Sequence, residues 1–96
     1  IAKQLDPQRK TAQAQFGDRG TEILRITDIR GWNRYFGWYY GEFGDFGPFL
    51  DEDKRKAPNQ IIMVSEYGAD NLRGYHSERP MASDFTEEWA LALHKA

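Results

Sequence analysis

The sequence predicts an α/β fold built on a parallel sheet, and three observations carry that prediction. Ile61-Ile62-Met63-Val64 is an unbroken apolar run between turn residues, which fits a strand covered on both faces. Strand and helix candidates alternate along the chain, the order that βαβ units leave in a sequence. The apolar run passes directly into Ser65-Glu66-Tyr67-Gly68, so a carboxylate stands where a buried strand emerges.

Each element has a local reason. Residues 1–5 read as the end of a helix, stopped at Asp6-Pro7 because the residue before proline is pushed out of the helical region. Residues 11–16 suit a short strand, 17–20 a turn and 22–25 a single helical turn. Residues 28–35 form the next strand candidate, with Ile29, Trp32 and Tyr35 supplying bulk. Gly37, Gly41, Gly44 and Gly47 punctuate a loop. Their spacing is too wide and too aromatic to cradle a phosphate, and no helix-opening Lys-Ser/Thr follows. A helix is predicted from Phe46 or Pro48 to Lys56, since proline fits a first turn where its missing N–H costs nothing. Phe46, Phe49 and Leu50 make its apolar stripe, and the charge run 51–56 reads as a solvated face. Pro58 marks a turn before the apolar strand. Residues 71–83 are polar and irregular. Asp84 is placed to cap a last helix, with Glu87 completing a capping box and Phe85, Trp89 and Leu93 on one face.

The 96 residues make one small domain. A net charge of -2 and scattered Lys and Arg give no basic stripe for nucleic acid. The absence of cysteine excludes disulfides and thiolate metal sites and leaves the redox compartment open. His76 and His94 lack metal-ligand spacing, so neither a metal nor a cofactor is expected. No apolar run approaches the roughly 20 residues that span a bilayer, so no membrane partner is expected. Residues 1–6 lack the basic start and apolar stretch of a leader peptide. Aromatic residues crowd between Trp32 and Phe46, and two readings fit them: a packed core, or a wall on which sugar rings stack.

Glu66 is the most informative residue. Active sites of parallel α/β folds gather at the carboxyl ends of strands, and a carboxylate there needs partners. The bland alternative is a capping or salt-bridging glutamate.

Beyond this point the motifs resemble a family. Ser65-Glu66-Tyr67-Gly68-Ala69-Asp70 resembles the nucleophile motif of glycoside hydrolase family 2, the β-galactosidase and β-glucuronidase family. Trp32-Asn33-Arg34-Tyr35-Phe36-Gly37-Trp38-Tyr39 resembles its sixth-strand segment, and Leu5-Asp6-Pro7-Gln8-Arg9 the stretch before its fifth strand. Asp45-Phe46-Gly47-Pro48-Phe49-Leu50, His76-Ser77 and Asp84-Phe85-Thr86-Glu87-Glu88-Trp89 are similar to further segments, particularly of bacterial β-galactosidases. Lys10 and Trp89 depart from the pattern, where proline and tyrosine are common.

The resemblance implies a partial eight-stranded (β/α) TIM barrel, with residues 1–96 as an incomplete domain. They would supply roughly strands five to seven with flanking helices from the C-terminal portion of the catalytic barrel. It implies Glu66 as catalytic nucleophile, Asn33 and Tyr35 lining the pocket beside it, and Tyr39 as a further pocket tyrosine. Trp38 either packs or contacts sugar. Asp70 and His76 are read as structural loop residues, and Arg34, on the opposite side of a regular strand, as a buried or interfacial ion-pair partner. The implied activity is hydrolysis of terminal β-galactosides, or related β-glycosides, with retention. The family's acid/base is the glutamate of an Asn-Glu pair, and no such pair occurs here. A full barrel takes about 250 residues. The isolated chain is therefore expected to be inactive, and its open strand edges are expected to make it self-associate. Two other readings compete: a non-catalytic carbohydrate-binding module with exposed tryptophans, and an interaction domain in which Glu66 is solvated with no tyrosine or asparagine near it.

Overall fold

The computed structural model describes residues 1–18 and 21–96. Its centre is a three-stranded parallel sheet in the order β1 (Ala12–Phe16), β2 (Ile29–Asn33), β3 (Ile61–Glu66). Around it lie α1 (Ala2–Leu5), a 3-10 turn at Thr21–Arg25, α2 (Phe46–Lys56) and α3 (Glu87–Lys95). The predicted α/β class and element order hold, with strand β2 ending at Asn33 rather than Tyr35. The turn predicted at 17–20 falls partly on Arg19 and Gly20, which lie outside the described residues.

The sheet is covered on one face only. Arg30 and Trp32 of β2 point to the covered face and pair in register with Ile62 and Val64 of β3. Ala12, Ala14 and Phe16 of β1 and Ile61 and Met63 of β3 point the other way and are exposed. This corrects the expectation of a strand covered on both faces. Ile61 is 55% exposed and Met63 37%, because no described element packs over that side. Gly31 lies between the strands there, and a side chain at its position would stand 2.7 Å from the Gln13 carbonyl.

The covered face is organised by a buried ion pair. Asp53 of α2 accepts from Arg30 Nη2 at 2.6 Å and from the Trp32 indole Nε1 at 2.8 Å. The charge run 51–56 is therefore not wholly a solvated face. Asp53 falls three and four residues after Leu50 and Phe49, on the same helical stripe, and is 6% exposed. Phe49 meets the Trp32 ring edge-on at 5.3 Å. Arg34, just beyond β2, is buried as its sequence position implied. It pairs with Asp18 at 2.5 Å and lies over the Trp32 and Phe49 rings at 4.4 and 4.6 Å. At the sheet's other end, Asp28 accepts from Lys3 and from the Thr11 backbone and hydroxyl, tying α1 to the start of β1. Its carboxyl is held far below the usual carboxylate range, the Lys3 hydrogen bond being the largest cause.

The last helix is capped by Thr86, not Asp84. Thr86 Oγ1 accepts from Trp89 N at 3.2 Å. Asp84 instead closes the preceding turn, accepting from Met81 N at 2.8 Å and from Thr86 Oγ1 at 2.6 Å. Phe85 consequently precedes the helix rather than lying on its face.

Removing one member of a buried charge pair leaves the other uncompensated. Asp53→Ala is expected to lower unfolding free energy by about 3–5 kcal/mol, read by urea denaturation. A loss below about 1 kcal/mol would show that Arg30 is not dependent on it.

Candidate active site

The site forms where β2 and β3 end side by side. The two strands pair regularly from Ile29↔Ile61 to Trp32↔Val64, and then the register slips so that Asn33 faces Glu66. Ser65 is the extra residue, a β-bulge. The slip puts Glu66 on the uncovered side of the sheet with Asn33, and its carbonyl accepts from Arg34 N at 2.9 Å.

Tyr35 follows β2 by two residues and opens a tight loop. The loop is closed by Trp38 N and Tyr39 N donating to the Tyr35 carbonyl, each at 3.1 Å, and by Gly37 N donating to the Tyr40 carbonyl at 2.9 Å. The Tyr40 phenol oxygen accepts from Tyr35 N at 3.0 Å. Gly37 has φ +79°, and the Phe43 ring occupies the space a side chain there would need. This loop aims the Tyr35 hydroxyl at the Glu66 carboxylate, to which it donates a short hydrogen bond at Oε2. Ionising the phenol would break that bond and set two negative charges together. The Tyr35 hydroxyl is accordingly pushed up to about 12, chiefly by that hydrogen bond.

Glu66 itself is exposed and lines an open cleft of about 590 Å³ together with Phe16, Tyr35, Trp38, Tyr39 and the rest of residues 65–70. Tyr39 is 51% exposed and stacks on Trp38, with ring centroids 4.0 Å apart. Trp38 is buried, and its Nε1 donates to the Asp84 carbonyl at 3.0 Å. It packs the loop against the 81–86 turn and also presents an edge to the cleft. Asn33 faces Glu66 across the ladder, but its side-chain oxygen is engaged by Ser65 and not by the carboxylate. That oxygen, Oδ1, accepts from Ser65 Oγ at 2.6 Å, one residue removed from the carboxylate. Asp70 lies exposed on the rim.

His76 secures the loop after the strand. Its Nδ1 lies 2.7 Å from Glu88 Oε1, while Glu88 Oε2 accepts from Ser77 N and Glu87 from Gly74 N. Phe16 and Ser65 were not singled out in the sequence. Phe16 is signalled only by closing β1, and Ser65 only by standing before the carboxylate. Among the described residues no cluster of three or more His, Asp or Glu side chains is arranged to hold a metal ion.

No family model matches the chain. Single relatives do. The β-glucuronidase of Bacteroides fragilis is 37% identical over 100 residues, spanning 98% of this chain. The structure of Bacteroides uniformis β-glucuronidase 2, covalently bound to cyclophellitol-6-carboxylate aziridine, superposes on 97% of the chain with TM-score 0.86 and 35% identity. A putative β-galactosidase from Bacteroides fragilis does so over 97% with TM-score 0.80 and 30% identity. The chain belongs to glycoside hydrolase family 2. It spans 14% of the length of the curated relative and 12–15% of these two structures. Its relatives are glycosidases acting on carbohydrate, mostly β-glucuronidases.

Two titrations check this geometry. In a tyrosine-labelled NMR titration, Tyr35 is expected to ionise near 12, and Glu66→Gln to bring it down towards 10. An unmoved midpoint would contradict the contact. Glu88 raises His76 above its ordinary 6.5, and His76 lowers Glu88 below 4.5. The raised imidazole contributes fully below 6.5 and is lost as pH rises through its folded value; the depressed carboxyl contributes above 4.5 and is lost as pH falls through its own. The latch is thus strongest between those limits. Glu88→Gln should return the His76 midpoint towards 6.5, and an unchanged midpoint would contradict the pairing.

Proposed function

We propose that this chain is part of the catalytic (β/α) barrel of a retaining β-glycosidase, supplying roughly strands five to seven, with Glu66 as the nucleophile. One observation carries the proposal: an accessible carboxylate at the end of a parallel strand, held by a phenol from the neighbouring strand's exit. The three-stranded sheet, bare on the side to which Glu66 points, supports the barrel reading, since that side would face a barrel interior lined by further strands.

The chemistry follows from two carboxyl groups roughly 5–5.5 Å apart. Glu66 attacks the anomeric carbon and forms a glycosyl ester as the bond to the leaving oxygen breaks. A second carboxylic acid, from outside this chain, gives that oxygen its proton. Water, losing a proton to the same group, then attacks the anomeric carbon and releases Glu66 as carboxylate. Tyr35 engages Oε2, which leaves Oε1 for attack and fixes the plane of the carboxylate. Asn33 offers an amide beside it. Tyr39 and Trp38 form an aromatic wall suited to the apolar face of a sugar ring.

The substrate class is a terminal β-glycoside. The motif resemblance leans towards galactosides, whereas the named relatives and the 6-carboxylate of the bound aziridine favour β-glucuronides, which are the first substrates to assay. With half of the carboxyl pair outside it, the isolated chain is inactive. Its bare sheet face and the free edges of β1 and β3 make it associate.

In the full-length polypeptide carrying this chain, Glu66→Gln is expected to reduce kcat on nitrophenyl β-glucuronide or β-galactoside by about 10⁴-fold or more. Retention of more than a tenth of the wild-type rate would overturn the assignment. Sedimentation of the isolated chain should show dimers or larger species at micromolar concentration, and a monomer throughout would contradict the association.

A further inference from the structure

The bulge before Glu66 has a hydroxyl at its centre. Ser65 Oγ donates its one proton to Asn33 Oδ1 at 2.6 Å, with the Trp32 carbonyl a longer second acceptor at 3.2 Å. Both acceptors belong to the two β2 residues between which the register slips. In an unbroken ladder Ser65 would face Asn33, and Glu66 would fall opposite Arg34. Arg34 points to the covered face, into the Trp32 and Phe49 rings and away from the cleft. A one-residue change of register moves a side chain to the opposite face of a sheet. The bulge is thus what turns the carboxylate towards Tyr35.

We propose that Ser65 is a positioning residue: its hydroxyl pins the bulge to β2, thereby directing Glu66 into the cleft and orienting the Asn33 carboxamide. The second effect follows from donor and acceptor roles. With Oδ1 engaged by the serine, the amide NH₂ is the end left to meet a hydroxyl of bound sugar. An unpinned bulge keeps the fold, since the Trp32–Phe49–Asp53 packing lies on the other face. What it loses is the fixed direction of the nucleophile. Displacing a reacting group by about 1 Å can lower rate by about 10²-fold.

This inference rests on Glu66 being the nucleophile, and the test separates the two. In the full-length polypeptide carrying this chain, Ser65→Ala, Ser65→Thr and Glu66→Gln are compared for kcat, KM and melting temperature on a nitrophenyl β-glycoside that the wild type cleaves. Ser65→Ala is expected to lower kcat about 10- to 100-fold, with KM within about threefold and melting within a few degrees. Ser65→Thr, which keeps the hydroxyl, is expected to recover most of kcat. If Ser65→Ala works within twofold of wild type while Glu66→Gln is dead, the positioning role is overturned and the nucleophile stands. If Ser65→Ala and Ser65→Thr fail together with a large drop in melting temperature, the role is packing alone and the proposal is overturned. If Glu66→Gln stays active, the reading beneath it falls.

Discussion

The contact on which the site depends is the hydrogen bond from Tyr35 to Glu66, made between the exits of two adjacent parallel strands. Parallel pairing delivers both strand ends to the same end of the sheet, so residues far apart in sequence arrive together without a dedicated scaffold. The loop 35–40 contributes the rest. Its backbone turn at Gly37 and the Tyr40 hydroxyl fix the direction of the phenol before any substrate is present.

Opposite faces of β2 do different work. On the covered face Arg30 and Trp32 share the buried Asp53 carboxylate, and Arg34 lies over Trp32 and Phe49. These contacts fix the strand to α2. On the bare face Asn33 meets Ser65, and beyond the strand Tyr35 meets Glu66. The Glu66 carboxylate stays exposed while the phenol fixes its orientation. Aromatic residues serve both sides: Trp32 and Phe49 pack, Tyr39 lines the cleft, and Trp38 does some of each.

Much of the fold was legible because its signals are local. The apolar run 61–64, the stripe Phe46, Phe49, Leu50 and the proline after Asp6 each name an element by periodicity or backbone restriction. What was misread depends on partners elsewhere. Asp53 looked solvated because its neighbours in sequence are charged, and only Arg30 and Trp32, more than twenty residues away, bury it. Asp84 and Thr86 are both good caps, and the choice between them is made by a turn that Asp84 closes with Met81. The strand 61–64 looked enclosed because hydrophobicity reports a tendency to be covered, not whether a cover is present. Glu66 and Tyr35 could be named as partners from the motifs, but the bulge at Ser65 could not, since register belongs to a pair of strands and not to either alone.

The most direct test is to react the full-length polypeptide carrying this chain with a cyclophellitol-type aziridine and locate the adduct by peptide mass spectrometry and crystallography. One label is expected, an ester from Glu66 to the ring, with the Tyr35 hydroxyl still beside the carboxylate. A label on any other residue of an active enzyme, with Glu66 unmodified, would contradict it.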